Sequence, residues 1–190
     1  TPTQISSIVS SINSTTLDIN GDGLCDIATV SSNSVQLYCA QKSDASLSFS
    51  KKSITTDCAK VSKETTTQGD VNGDGRTDLI LLTNNQATEA IKKQSDGIYS
   101  VNVGKDEVAF DVGDFFNDGK SGLLYLKKKA SGATQCKLLY YNANGTTKTL
   151  SGQLTLPNTT QTVKVSDWNG DGMADLLVVG SAGYTIFWNN

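Results

Sequence analysis

The chain has 190 residues, 37% of them hydrophobic, and a formal net charge of -3 at neutral pH. That length holds one domain or a compact repeat array, and so mild an acidic balance does not suggest a nucleic-acid or membrane-surface binder. Histidine is absent, which excludes a Ser-His-Asp triad, a histidine-dependent cysteine nucleophile and a His-ligated zinc site.

Residues 1–17 are rich in Ser and Thr around an apolar fragment at Ile5, Ile8 and Val9. A Gly- and Asp-rich nonapeptide follows at 18–26 (loop 1). Behind it, Ile27–Val30 reads as a buried strand, Ser31-Ser32-Asn33 as a turn and Val35–Tyr38 as an alternating strand. The polar stretch 41–66 is expected to hold strands near Leu47–Phe49 and Ile54. A second nonapeptide at 70–78 (loop 2) leads into Leu79–Thr83. Thr88–Lys93 reads as a helical turn, and Tyr99–Val103 and Val108–Val112 as strands. A third, altered nonapeptide at 114–122 (loop 3) precedes Leu123–Leu126, a Lys127–Lys129 run read as a solvated strand end, the strand Lys137–Tyr141 and the turn Asn142–Gly145. Leu154–Leu156 and Thr162–Val165 lead to the last nonapeptide at 167–175 (loop 4), then Leu176–Val179, a turn at Ser181–Gly183 and Tyr184–Trp188.

Loops 1, 2 and 4 share D-x-N-G-D-G-x-x-D: Asp18, Asn20, Asp22, Asp26; Asp70, Asn72, Asp74, Asp78; Asp167, Asn169, Asp171, Asp175. Carboxylates at positions 1, 5 and 9 and an amide at position 3 are oxygen ligands for a hard cation such as calcium. Glycines at positions 4 and 6 let the backbone turn sharply. Turn chemistry alone needs no Asp at positions 1 and 9. Eleven of the sixteen Asp residues lie in the four loops, so the acidic balance is read as metal ligation. In loop 3, Phe116 replaces the amide and Gly122 the last carboxylate. That loop is expected to be metal-free or a much weaker site, with Lys120 balancing its charge.

An EF-hand would carry Glu at position 12 and flanking helices. Here position 12 is Thr29, Leu81 or Val178, inside short apolar runs that read as strands. Strand, D-x-N-G-D-G-x-x-D, strand resembles the FG-GAP/VCBS repeats of integrin-type β-propellers. The resemblance implies calcium in three sites, loop 114–122 remaining empty. It also adds the position 7 carbonyls of Leu24, Arg76 and Met173 to the ligands. Loop spacings of 52, 44 and 53 residues suit blades of about four strands, each loop joining a blade's first two strands. The expected fold is all-β: a β-propeller-like array of four blades forming one repeat domain over 1–190. The last repeat has room for only two strands after its loop. The array is closed by Ile5–Val9 pairing with that repeat, or is part of a larger propeller, or is half of one that dimerises. The apolar position 2 residues (Ile19, Val71, Phe115, Trp168) are expected between blades, with Trp168 in the core.

No signal peptide or transmembrane run is evident, and the chain reads as a mature or excised segment. Four cysteines (Cys25, Cys39, Cys58, Cys136) fit an oxidising compartment, with Cys39–Cys58 the first choice of pairing. The functional reading is a calcium-stabilised recognition or adhesion module of a secreted or cell-surface protein. It would bind a glycan, a protein partner or further domains of a parent chain, with no nucleic acid and no membrane insertion. The segments 40–50, 84–97, 127–134 and 142–160 are its expected binding loops. The alternative is a propeller-borne polysaccharide lyase or hydrolase, or an accessory domain of one; no catalytic residues are assigned.

Overall fold

A computed structural model describes residues 13–31, 34–44, 46–56, 66–83, 90–102, 107–128, 134–154 and 160–190. These residues form strands and turns and contain no helix. The strands make four small sheets, the blades of a propeller-type array. Blade 1 is β1 (Asn13–Leu17), β2 (Asp26–Val30), β3 (Ser34–Ser43) and β4 (Ser46–Thr55), an antiparallel meander in chain order. Blade 2 is β5 (Thr66–Gly69), β6 (Asp78–Thr83), β7 (Ala90–Ser95) and β8 (Ile98–Asn102). Blade 3 is β9 (Glu107–Gly113), β10 (Gly122–Lys128), β11 (Thr134–Tyr141) and β12 (Thr147–Leu154). Blade 4 has three strands, β13 (Thr160–Ser166), β14 (Asp175–Gly180) and β15 (Gly183–Phe187). As expected, each nonapeptide joins the first and second strands of its blade.

The blades stack through one repeating pattern. After loop position 9 the chain is a continuous apolar run, and alternate residues of a strand face opposite ways. The second and fourth residues of the run, with loop position 2, pack forward against the next blade. The first and third pack backward against the previous one. Ile19, Ala28 and Val30 of blade 1 therefore meet Leu79 and Leu81 of blade 2. Val71, Ile80 and Leu82 meet Leu123 and Tyr125, and Phe115, Leu124 and Leu126 meet Leu176 and Val178. This explains why β6 is buried along its whole length and why its sequence does not alternate. Each fully buried Leu or Ile contributes about 1.5–3 kcal/mol, so the stack and not the single sheet is the stable unit. Tyr99 and Tyr141 add an edge-to-face contact between blades 2 and 3, with centroids 5.2 Å apart.

Several expectations are corrected. Trp168 is 48% exposed, not core, because among the described residues no blade packs on that face of blade 4. Ala90–Ser95 is a strand, not a helical turn: β7 pairs with β8, and β8 lies parallel to β6 beside it, giving the order β5-β6-β8-β7. The two strands expected near Leu47–Phe49 and Ile54 are one ten-residue strand in a long hairpin with β3. Much of 142–160 is likewise the fourth strand of blade 3. The proposed pairing of Ile5–Val9 lies outside the described residues. Cys58 does too; Cys39, with Cys25 and Cys136, is a free thiol, so the Cys39–Cys58 pairing is not formed.

Candidate metal-binding loops

The four loops lie side by side at one end of the stack. At Gly21 (φ +73°), an added Cβ would stand 2.8 Å from Arg76 Cδ of loop 2; at Gly73 (φ +78°), 2.8 Å from Lys120 Cγ of loop 3. The position 4 glycine therefore does two things. It takes the left-handed conformation, and it leaves room for the position 7 side chain of the next loop. Loop 3 has Asn117 here, at φ 52°, a conformation that Asn tolerates better than most residues. The altered loop thus keeps the turn although it has lost ligands. Main-chain bonds join the loops as well: Ser121 N–H donates to Asp70 C=O, and Ala174 N–H to Asp114 C=O.

Each intact loop has the same internal arrangement. The position 1 carboxylate accepts N–H groups from positions 4, 5 and 6; for Asp18 these are Gly21, Asp22 and Gly23 at 2.8–3.0 Å. The position 3 amide oxygen accepts the position 5 N–H, and its NH2 donates to the position 5 carboxylate at 2.8–3.0 Å in all three loops. The position 5 carboxylate also accepts the position 7 N–H. Positions 1, 3 and 5 are thus oriented by the loop itself, largely at the surface.

Position 9 differs. Asp26, Asp78 and Asp175 are 0–1% exposed. One oxygen of each accepts the position 2 N–H, from Ile19, Val71 or Trp168, at 2.9–3.2 Å. The other oxygen of Asp26 accepts Ala40 N–H at 2.8 Å, and that of Asp175 accepts Asn189 N–H at 2.9 Å. In loop 1 this carboxylate ties both ends of the loop to the blade's third strand, and in loop 4 to the residues just after it. Burial, and then Asp74 and Asp70 beside it, push the Asp78 carboxyl up to about 6. Arg76, 2.7 Å from Asp74, holds Asp74 below the usual carboxylate range through its side-chain hydrogen bond.

The donor set of each intact loop, three carboxylates, an amide oxygen and a carbonyl, is all oxygen and suits a hard cation. Each carboxylate oxygen keeps acceptor capacity beyond the N–H bonds it makes. Among the described residues, no group of three acidic, cysteine or histidine side chains is arranged to hold a metal ion; the carboxylates are turned onto backbone N–H groups. Ligands at positions 1, 3, 5 and 9 would therefore share their oxygens between those N–H groups and an ion.

Loop 3 does not fit an ion. Tyr140 hydroxyl lies 2.7 Å from Asp118 Oδ1 and 2.9 Å from Lys120 O. These are the position 5 carboxylate and position 7 carbonyl, both assigned to the metal in the other loops. At Gly122 an added Cβ would stand 2.7 Å from the Tyr140 ring and from Leu138 Cδ1. Phe116, at position 3, packs edge-on to the same ring at 5.0 Å. The losses at positions 3 and 9 and the gain of a tyrosine are one change: the ring takes the space of the missing carboxylate, and the hydroxyl bonds the leftover oxygens. Lys120, expected to balance the charge, lays its chain over Gly73. Burial, with Asp118 next, raises the Tyr140 phenol. Tyr140→Phe is expected to lose about 1–2 kcal/mol, the worth of a hydrogen bond to a charged group and its neighbour. Melting should show the same loss in calcium and in chelator, because this loop works without the ion.

Sequence reasoning missed Tyr140, which stands eighteen residues beyond the motif. The signal open to it was the coincidence of Gly at position 9 with a tyrosine in the following hairpin. No curated protein matches the chain. Residues 18–81, which run from loop 1 through loop 2 into β6, match the family model of the FG-GAP-like repeat. Residues 18–81 thus carry an FG-GAP-like repeat, and its loop pattern recurs in altered form at 114–122 and intact at 167–175.

Proposed function

We propose that the chain is a calcium-stabilised recognition module of a secreted or cell-surface protein. The observation that carries this reading is the row of loops at one end of the stack, three of them with a full oxygen donor set on a shared, rigid frame. Calcium would be held by the side chains at positions 1, 3, 5 and 9 and the position 7 carbonyl. Its part is to neutralise the gathered carboxylates and fix the hairpins. FG-GAP-like repeats belong to modules of extracellular and adhesion type, which fits this assignment. Among the described residues no helix is long and apolar enough to cross a membrane.

The topology narrows where a partner would bind. In an antiparallel meander, alternate connections fall at opposite ends. The β3–β4 turn, the β7–β8 turn at Asp96–Gly97 and the β11–β12 turn at residues 142–146 fall at the loop end, whereas β6 and β10 end, and β7 and β11 begin, at the other. Asp96 sits 3.7 Å from Arg76 of loop 2, which couples one of these turns directly to a loop. The four expected segments thus do not form one face, and the ligand surface is assigned to the three turns at the loop end. Connections held on a rigid scaffold are where binding residues concentrate. Asp111, an acid outside the loops, accepts Val165 N–H at 2.9 Å and lies 3.8 Å from Lys164 Nζ, linking blades 3 and 4.

The test is binding of the whole chain to a glycan and surface-protein array, with and without calcium. Asp44→Arg and Ala143→Arg, both in exposed turns, are expected to abolish binding to the array ligand. They should change stability by no more than about 0.5 kcal/mol. Asp78→Ala should weaken binding together with stability. Binding that is indifferent to both turn variants, or turnover of a polysaccharide lost on substituting Asp111, would overturn this reading.

A further inference from the structure

The three intact loops differ in how the position 5 carboxylate is used. Asp22 accepts the Asn20 amide and the Leu24 N–H, and Asp171 accepts the Asn169 amide and the Met173 N–H. Asp74 accepts the equivalent pair from Asn72 and Arg76. It also accepts two more bonds, because Arg76 Nε and Nη2 both donate to Asp74 Oδ2, at 3.2 and 2.7 Å. An ion reaching Asp74 must therefore compete with donors that loops 1 and 4 lack.

The cause is position 7, where Leu24 and Met173 are uncharged and Arg76 is a cation. Loop 1 helps to place it. At Gly21 an added Cβ would stand 2.8 Å from Arg76 Cδ and 3.0 Å from its Cγ, so the stem of the side chain lies across the neighbouring loop. The guanidinium at its end is free to turn, and a second carboxylate is in reach. Nη2 stands 3.7 Å from Asp96 Oδ2 in the β7–β8 turn. The other oxygen of Asp96 accepts Lys93 Nζ at 3.2 Å.

We propose that Arg76 is a built-in counter-ion of loop 2: it holds Asp74 until calcium arrives and then passes to Asp96, so that loop 2 takes calcium more weakly than loops 1 and 4. The proposal rests on the calcium reading of the loops. Its physical basis is competition for one oxygen. Two charge-assisted bonds to Asp74 Oδ2 have to break before that oxygen can face an ion, and the guanidinium repels a cation beside it. Asp96 offsets part of this by accepting the displaced head. Occupancy of loop 2 is thereby felt at the β7–β8 turn, one of the three turns assigned to the ligand surface. The loss of affinity is roughly two- to fivefold, the range of one exposed ion pair.

A calcium titration of the isotope-labelled whole chain, followed by NMR, reads each loop separately. The position 6 amides of Gly23, Gly75 and Gly172 each donate to the position 1 carboxylate of their own loop and serve as probes. In the wild type the Gly75 midpoint is expected roughly two- to fivefold above those of Gly23 and Gly172. Arg76→Met copies position 7 of loop 4 and keeps a stem over Gly21. It should bring the Gly75 midpoint down to the other two and leave those unmoved. Asp96→Asn should shift Gly75 the opposite way, and should do nothing in the Arg76→Met background. Melting adds a reading that a merely structural arginine would not give. Arg76→Met should melt below wild type in chelator, where the counter-charge is lost, but not in saturating calcium. A wild-type Gly75 that responds with or before the other two overturns the proposal alone. So does a Gly75 midpoint unmoved by Arg76→Met, or an equal loss on melting in both buffers. Three glycines that never respond to calcium overturn the calcium reading, and the proposal with it.

Discussion

Excess chelator is expected to lower the melting temperature of the chain by about 15–30 °C. Each site held at about 100 times its dissociation constant stabilises the folded chain by roughly 2.7 kcal/mol. Three sites sum to about 8 kcal/mol, and each kcal/mol is worth about 2–4 °C for a chain of this size. The total is comparable with the roughly 5–15 kcal/mol stability of a whole domain, so the chelated chain is expected to be marginal. The reason lies in the loops. Asp74 and Asp70 stand close enough to Asp78 to raise its energy in the charged state. The interactions offsetting this are N–H dipoles, one arginine and the Asn72 amide. A divalent cation would supply further counter-charge. Melting scans in calcium and in chelator provide the measurement, and superimposable curves would remove calcium from the stability of this fold.

The second large effect belongs to position 9. Asp26→Ala leaves the N–H groups of Ile19 and Ala40 without their acceptor in a buried site. An unsatisfied buried group costs about 1–3 kcal/mol, so the loss is about 2–6 kcal/mol, and it should persist in chelator. Asp22→Ala, at the exposed position 5, should instead cost roughly the 2.7 kcal/mol of one ion in calcium and much less in chelator. Chemical denaturation of the two variants in both buffers separates the roles. Equal losses for Asp26→Ala and Asp22→Ala in chelator would show that position 9 is a ligand and nothing more.

The loops and the strands behind them were legible because each is local. Nine residues carry the ligands and the turn, and Leu79–Leu82 or Leu176–Val179 announces a strand by its continuous apolar run. What escaped reading depends on residues far apart in sequence. Ala90, Lys92, Lys93 and Gln94 are good helix formers, yet Ile91 is drawn into the core between blades 2 and 3, and pairing with β8 sets the conformation. Tertiary context overrides propensity there, as is common for strands. Trp168 was misread because its loop position packs on the next blade in blades 1 to 3, and the motif does not say which blade leaves that face open. The dual role of Asp26, Asp78 and Asp175 was half visible: the carboxylate was read as a ligand, but its bond to Ala40 or Asn189 spans fourteen residues and needs the third strand in place. Tyr140 fills the altered loop from a neighbouring strand, which no reading of loop 3 alone would supply.

The most direct measurement of metal binding is a calcorimetric titration of metal-stripped chain with calcium. Three equivalents are expected, at loops 1, 2 and 4, with loop 3 closed by the Tyr140 hydroxyl. Heat for no equivalents would contradict calcium ligation altogether, and four would contradict the exclusion of the ion from loop 3.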